Sequence, residues 1–333
     1  MSHTGRMHLD RILPFSQQYA AKMVVSQQLV RLFHAGLRAL AADKELLVTL
    51  RKKTGYSFLN CKKALEKFRG NPKQAEAWLH EQAQKEGWSK ASKLQDRKTK
   101  EGLIGLLQEG NTAVMVEVNC ETDFVARNVK FQQLVQEAAT GTMFHHQGVK
   151  NQLTTYVKHF LKAAELSQLR TGPAGSLLSD QLALAIGKLG ENMALKRAAW
   201  VAVPANYYIG SYVHGALPVD NPALANMALG KYGALVICQA SEQSAKSNLA
   251  DLGRRLGQHV VGMAPLSVGS LEDEPGGDTE TKMLAQPFLL DPSPTLGQYV
   301  QPQGVAVVDF VRFECGEDTE VPEVELMQQR EGH

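Results

Sequence analysis

Apolar and polar positions in the middle of the chain form the pattern of a β-hairpin followed by a helix. The runs Leu103 to Leu107 and Ala113 to Val118 suit strands, and Glu109-Gly110-Asn111 between them suits a turn. Thr122 can then cap a helix through its hydroxyl. Helical spacing predicts that the buried stripe of this helix contains Phe124, Asn128, Phe131, Val135 and Ala138.

A similar order of elements returns later in the chain. Tyr208 to His214 and Tyr232 to Cys238 predict a second strand pair, and a helix is predicted from about Asn248 to Val261. The segment Ala216 to Gly230 between these strands is rich in Pro, Asn and Ala, and we expect it on the surface. Two strand–strand–helix units predict a duplicated α+β core with antiparallel sheets.

Further patterns connect and close these units. Asp180 to Leu189 predicts a helix, and Gly190 can end it in the left-handed conformation. Met193 to Val201 and Val305 to Phe313 predict strands. Residues 140–178 are expected to form loops and short helices.

The N-terminal part of the folded chain, residues 44–88, predicts three short helices. The first is expected from Glu45 to Lys53, and the second from Cys61 to Phe68 with Asn60 as its cap. Asn71-Pro72 combines a capping residue with proline at the first helical position, which is typical of a helix start. Three helices of this size resemble a ubiquitin-associated domain.

The first residues of the chain have the composition of a targeting segment. No acidic residue occurs from Arg11 to Ala42, where basic residues punctuate apolar ones. This composition is typical of a transit peptide, although an ordinary N-terminal helix is the alternative. We therefore predict residues 1–43 to be a transit peptide, with the mature chain starting between about Leu37 and Glu45.

The composition of the chain argues against several classes of protein. The 333 residues are 44% hydrophobic and 21% charged with a net charge of +2, which is ordinary for a soluble protein. This charge argues against a strongly basic nucleic-acid binder, and no apolar run reaches the length of a membrane helix. The four cysteines have no CxxC spacing, which favours free thiols over a zinc site or disulfides.

A basic stretch follows the N-terminal module. It runs from Lys85 to Lys100 and contains a single aromatic residue, Trp88. Because stacking rings are not interleaved with the basic residues, RNA binding is weakly supported. We predict a polar linker at residues 89–100.

Catalytic signatures are missing from the sequence. It contains no GxxxxGK[ST] phosphate loop, no HExxH and no GxSxG motif. The sequence therefore predicts no catalytic residue, no cofactor, no metal site and no direct binding of nucleotide by this chain.

The run Asn119 to Asn128, NCETDFVARN, joins a predicted strand to a predicted helix. Phe124 within it has two interpretations: the first core residue of the helix, or an aromatic wedge for a partner with Asp123 beside it. Periodicity favours the core interpretation. Together with Leu50 to Glu66, LRKKTGYSFLNCKKALE, this run resembles the elongation factor Ts family, whose signature Thr-Asp-Phe-Val stands at Thr122 to Val125.

This resemblance implies a function. The family exchanges guanine nucleotide on elongation factor Tu, and its Asp-Phe pair enters the G domain of that partner. The resemblance implies that Asp123 and Phe124 enter near the Mg²⁺ and phosphate region, so that GDP leaves and GTP rebinds. A heterodimer with mitochondrial elongation factor Tu is expected. The positions that match partner contacts of the family are Arg51, Phe58, Leu59, Lys62, Thr122, Asp123, Phe124, Val125, Leu189, Gly190 and His214.

Some of these positions also have simpler interpretations. Phe58 and Leu59 could be core residues of the N-terminal module, and Arg51 and Lys62 could be solvated surface charges. His214, beside a glycine turn, could be structural. A ubiquitin-associated-type adaptor or an RNA-binding scaffold without exchange activity remains the alternative function.

The chain departs from bacterial members of the family in one place. Leu271 to Thr281 is short, acidic and glycine-rich where those members carry a coiled-coil arm. A missing arm and a transit-like leader point to the mitochondrial branch and to the mitochondrial matrix. The resemblance divides the core into subdomains at 101–203 and 204–316, followed by a polar tail at 317–333.

Overall fold

The chain forms two compact units, Met1–Gln82 and Ala83–His333. Two predicted segments, the leader and the end of the tail, lie outside the residues that the structure describes. The computed structural model describes residues 44–54, 56, 58–146, 153–172, 175–218, 226–240 and 249–318.

The first unit contains helix α1 at 44–54, α2 at Phe58–Lys67 and the start of α3 at Pro72–Leu94. The predicted start at Asn71-Pro72 is confirmed, since Asn71 Oδ1 accepts from the Gln74 N–H at 3.2 Å. The predicted cap at Asn60 is wrong, because α2 begins earlier and Asn60 lies in its first turn. The core of this unit consists of Leu50, Cys61, Ala64, Leu65, Ala75 and Leu79.

Helix α3 is longer than the sequence pattern indicated. It continues to Leu94, so residues 89–94 of the predicted linker are helical. Strong helix formers dominate the segment, and its only interior glycine is Gly87. That glycine lies against Ala183, whose carbonyl oxygen would be 2.0 Å from an added Cβ. Close packing of the second unit therefore holds the end of α3.

Two antiparallel sheets form the centre of the second unit. Their strands are β1 Glu101–Glu109, β2 Thr112–Cys120, β3 Val157–Lys162, β4 Met193–Ala202, β5 Tyr207–His214, β6 Met227–Gly230, β7 Tyr232–Ala240 and β10 Val305–Glu314. The strands of the first sheet are in the order β3-β4-β2-β1-β6, and those of the second are in the order β10-β7-β5. The predicted hairpin, the predicted second strand pair and the predicted last strand are all present.

The two sheets pack on each other and are covered by helices on their outer faces. Val116 and Val118 of β2 pack on the helix side, while Met115 packs between the sheets with Leu235 and Ile237. Every residue of β2 is therefore buried. The helices are α4 Asp123–Ala126, α5 Val129–His145, α6 Ala163–Gln168 and α7 Leu178–Leu189 on the first sheet, and α8 Leu249–Met263 on the second.

A small region closes the C-terminal half of this unit. A two-stranded sheet, β8 Pro287–Phe288 and β9 Asp291–Thr295, leads into α9 Leu296–Val300. Residues 271–281 form turns and one 3₁₀ helix, Gly277–Thr279. No helix in the described part of the chain is long and apolar enough to cross a membrane.

The predicted fold class, α+β with antiparallel sheets, is confirmed. Two regional predictions are wrong. Met227–Gly230, expected within a surface insertion, is edge strand β6, which pairs with β1 and buries Leu229 completely. Residues 140–178, expected to lack strands, contain β3, which pairs with β4. Both strands are short, so their alternation of apolar and polar residues is too brief to distinguish them from loops in the sequence.

Candidate functional site

The signature residues lie where β2 turns into helix. Thr122 caps α4, as predicted, because its Oγ1 accepts from the Val125 N–H at 3.3 Å. The helix does not continue as one piece. Asn128 caps a new helix, α5, and its Oδ1 accepts from the Lys130 N–H at 2.9 Å. The predicted single helix is therefore two helices with a break at residues 127–128.

This break decides the position of Phe124. The predicted apolar stripe placed Phe124 in phase with Phe131, but the two residues belong to different helices. Phe131 is fully buried, whereas Phe124 is 79% exposed. Val125 and Ala126 point into the core instead and anchor α4. The core interpretation of Phe124 is therefore wrong. The ring is exposed, and its role as a wedge for a partner stays a prediction.

Asp123 lies beside this ring on the surface. Its carboxylate is about half exposed, and Oδ2 is 3.2 Å from Nη2 of Arg127, one helical turn away. Such solvent-exposed pairs hold each other weakly, because water and salt screen the charges. A partner can therefore displace Arg127 from the Asp123 carboxylate with little loss of free energy.

A reciprocal set of hydrogen bonds, which we call the carboxylate clasp, joins this turn to the turn between α7 and β4. The Thr122 hydroxyl donates to the Glu191 carboxylate, whose two oxygens both lie 3.0 Å away. In the other direction, the Glu121 carboxylate accepts from the Asn192 N–H at 2.6 Å. The Glu121 carboxylate also lies 3.4 Å from Nη1 of Arg97. The backbone carbonyl of Arg97 in turn accepts from the side-chain amide of Asn192.

Strand pairing explains why these distant residues meet. Cys120, the last residue of β2, is opposite Met193, the first residue of β4. Gly190 ends α7 as predicted, with φ of 81° and its N–H donating to the Ile186 carbonyl at 2.9 Å. Leu189 is half-buried beside it, and Gly190 is exposed. The predicted positions at 122–125 and 189–190 therefore lie at one end of the first sheet.

His214 reaches the same end through the second sheet. It is the last residue of β5 and is opposite Tyr232 of β7. The neighbouring Lys231 forms an ion pair at 2.5 Å with Glu101, which is itself opposite Cys120 in the first sheet. His214 is exposed, and its Nδ1 lies 3.1 Å from the Tyr212 hydroxyl.

The remaining predicted positions form an exposed surface on the first unit. Phe58 is 46% exposed and Leu59 is 62% exposed, so the interpretation of this pair as core is wrong. The Arg51 guanidinium lies 4.3 Å from the centre of the Phe58 ring, a cation–π distance. Lys62 is exposed and pairs with Glu66 at 3.8 Å.

The sequence pattern did not predict the contacts of Glu121 and Glu191. Both are polar residues beside turns, and neither has a pattern that reveals a partner so far away in sequence. One signal was position, because Glu121 precedes Thr122 and Glu191 follows Gly190, and both of these neighbours were predicted site residues. Beneath the turn, Cys120 Sγ donates to the Thr122 carbonyl at 3.2 Å, and burial raises the pKa of this thiol to about 12. Cys120 is thus a protonated donor at neutral pH.

The described residues do not form a metal centre. Among them, no group of three or more His, Cys, Asp or Glu side chains is arranged to hold a metal ion. What the arrangement offers is an exposed aromatic ring and a carboxylate on a turn that hydrogen bonds hold in place.

Comparison with known proteins identifies the family. Residues 30–89 match the family model for elongation factor Ts, mitochondrial, N-terminal, and residues 121–273 match that for elongation factor TS. The first match begins inside the predicted leader.

Relatives named elongation factor Ts, mitochondrial, cover most of the chain. The protein from Homo sapiens is 71% identical over 88% of this chain and 90% of the relative. That from Bos taurus is 68% identical over 94% of this chain and 92% of the relative. That from Nematostella vectensis is 46% identical over 82% of this chain and 99% of the relative. This chain therefore belongs to the mitochondrial elongation factor Ts family.

Proposed function

We propose that this translation elongation factor binds the GDP-bound form of elongation factor Tu in the mitochondrial matrix and promotes GDP release. GTP then rebinds and displaces the factor. The chain acts as an exchange factor without covalent chemistry and without binding nucleotide itself. Mitochondrial elongation factor Tu is its partner in a heterodimer.

The observation that carries this proposal is the exposure of Phe124 on an anchored turn. Burying a Phe side chain contributes roughly 1.5–3 kcal/mol, which is unused in the free protein because the ring faces solvent. A factor that drives exchange must bind the nucleotide-free partner more tightly than the GDP-bound partner. A ring that is buried only between displaced helices of the partner supplies such a difference.

Asp123 supplies the electrostatic part of the mechanism. In guanine-nucleotide-binding proteins, the phosphates are held by backbone amides and by Mg²⁺. A carboxylate brought beside that region competes for the same donors and repels the phosphates. By linkage, GDP weakens the complex by the same factor by which the complex weakens GDP binding.

The surface of the first unit provides the second contact. Phe58 and Leu59 are adjacent exposed apolar residues, flanked by the cations Arg51 and Lys62. Aromatic anchors beside arginine are typical of the residues that contribute most to protein interfaces. In this proposal the first unit grips the partner, and the second unit, with Leu189, Gly190 and His214 beside the signature turn, opens the nucleotide site.

The direct test is the release of mant-GDP from mitochondrial elongation factor Tu with and without this protein. Wild-type protein is expected to accelerate release, and Phe124→Ala is expected to lose most of that acceleration. Phe144→Ala is the matched control, because Phe144 is a partly exposed aromatic residue near the other end of α5. The proposal fails if wild-type protein leaves the release rate unchanged, or if the two variants behave alike at equal folded fraction.

A further inference from the structure

The turn that carries Phe124 has little stability of its own. Helix α4 has four residues, and helices this short do not persist in water without tertiary contacts. Val125 and Ala126 hold its inner side in the core. Core packing therefore restrains α4 on one side only, because the other two residues of the helix, Asp123 and Phe124, are not buried. Another contact must set the direction of the ring.

The Thr122 hydroxyl is that contact, because it has two partners at once. It accepts from the Val125 N–H at 3.3 Å and donates to the Glu191 carboxylate at 3.0 Å. A hydroxyl rotates freely until its proton has an acceptor. When the Thr122 hydroxyl donates to the Glu191 carboxylate, its proton is fixed and one of its oxygen lone pairs faces the Val125 N–H. A hydrogen bond to a carboxylate is also stronger than one between neutral groups.

The second half of the carboxylate clasp is the hydrogen bond between Glu121 and Asn192, which restrains the residue before Thr122. The Glu121 carboxylate accepts from the Asn192 N–H at 2.6 Å. Residues 121–122 are thus bound to residues 191–192 in both directions. These bonds lie outside the β2–β4 ladder, which ends at Cys120 and Met193. Loss of the Glu191 bond therefore leaves the sheet pairing intact and loosens only the turn.

We infer that Glu191 is a positioning residue for nucleotide exchange: through the Thr122 hydroxyl it holds the α4 turn so that Phe124 and Asp123 project in the productive direction. This inference rests on the proposed function, because the productive direction is defined by exchange. Glu191 itself need not touch the partner.

The first measurement concerns the free full-length protein and needs no partner. Glu191→Ala is expected to speed hydrogen exchange of the Val125 amide about tenfold, because the Thr122 hydroxyl loses its fixed orientation. Glu191→Gln keeps an acceptor oxygen and is expected to restore protection. Glu165→Ala is the matched control, since that carboxylate accepts from the Lys162 N–H at 2.7 Å in the capping box of α6. Glu165→Ala is expected to leave the hydrogen exchange of the Val125 amide unchanged.

The second measurement is mant-GDP release from elongation factor Tu, arranged as a double-mutant cycle. Glu191→Ala is expected to lower the stimulated rate roughly tenfold in the wild-type background. In the Phe124→Ala background it is expected to have little further effect, because the group that it positions is gone. A residue that served only general stability would lower the rate by the same factor in both backgrounds.

The outcomes separate this inference from the proposed function. Unchanged protection of Val125 in Glu191→Ala overturns the inference, and so does greater exchange of Val125 with a normal rate of GDP release. Equal effects of Glu191→Ala in both backgrounds also overturn it. If wild-type protein fails to stimulate GDP release, the proposed function is overturned, and so is a role of Glu191 in nucleotide exchange. Faster hydrogen exchange of the Val125 amide in Glu191→Ala would still establish that Glu191 holds the turn.

Discussion

The hydroxyl of Thr122 lies within hydrogen-bond distance, 3.0 Å, of both carboxylate oxygens of Glu191, although 69 positions separate the two residues. One residue caps the helix that presents Phe124, and the other follows the glycine that ends α7. A tertiary bond therefore supports the most exposed aromatic ring of the second unit's described residues. The stability of the fold and the presentation of the ring depend on different contacts, so experiments can separate them.

Truncating Phe124 is expected to leave stability almost unchanged. The ring is exposed, so Phe124→Ala is expected to change the free energy of unfolding by less than about 0.5 kcal/mol. Phe131→Ala, the buried counterpart on α5, is expected to cost about 3–5 kcal/mol. Urea denaturation of both full-length variants checks this. A similar large loss in both would show that Phe124 contributes to the core.

Replacing Phe58 and Leu59 together by Ala is expected to weaken binding to elongation factor Tu at least tenfold, because both side chains are exposed anchors. Stability is expected to change little. Leu79→Ala is the contrasting variant, because Leu79 is buried in the core of the first unit and its loss is expected to cost about 2–5 kcal/mol. Titration calorimetry and urea denaturation measure the two quantities. Unchanged affinity of the double variant would exclude this surface from the interface.

Gly190→Ala is expected to destabilise the protein by roughly 1–2 kcal/mol, because alanine is strained in the left-handed conformation. Space is not the cause, since an added Cβ at Gly190 meets no atom within 4 Å. Gly172→Ala has the same open surroundings without a positive φ and is expected to have little effect. Thermal denaturation of the two variants tests the argument, and equal melting temperatures would contradict it.

His259 is expected to make stability depend on pH. Burial lowers the pKa of this histidine to about 4 from an ordinary value near 6.5. Its Nε2 lies 3.1 Å from Gln286 Oε1, and its Nδ1 accepts from the Leu289 N–H at 3.3 Å, which fits the neutral ring. The unfolded chain binds the proton more readily between these two pKa values. Stability is therefore complete above pH 6.5 and falls as the pH drops toward 4, by about 3 kcal/mol.

Urea denaturation from pH 7.5 to 4 checks the pH dependence. His259→Gln removes the titrating group, so its stability is expected to vary less with pH over this range, whatever its absolute value. An identical slope in wild-type protein and in His259→Gln would assign the pH dependence to other groups.

Local chemistry was sufficient for much of the fold. The hairpin of β1 and β2, the start at Asn71-Pro72 and the cap at Thr122 depend on neighbouring residues, and the sequence predicted all three. The stop at Gly190 is of the same kind, since glycine adopts positive φ without strain. The signature at Thr122 to Val125 also indicated the family and the candidate site, because a family motif is a property of sequence alone.

Tertiary structure decided what periodicity could not. Helical spacing placed Phe124 with Phe131, but Val125 and Ala126 are the residues of α4 that pack into the core, which leaves Phe124 on the solvent side. The pairing of β6 with β1 likewise depends on a strand edge that other segments create, so its four residues carry no pattern of their own. The bond between Thr122 and Glu191 exists because β2 and β4 end side by side. A sequence pattern records the periodicity of one segment, whereas these features depend on which distant segments the sheet brings together.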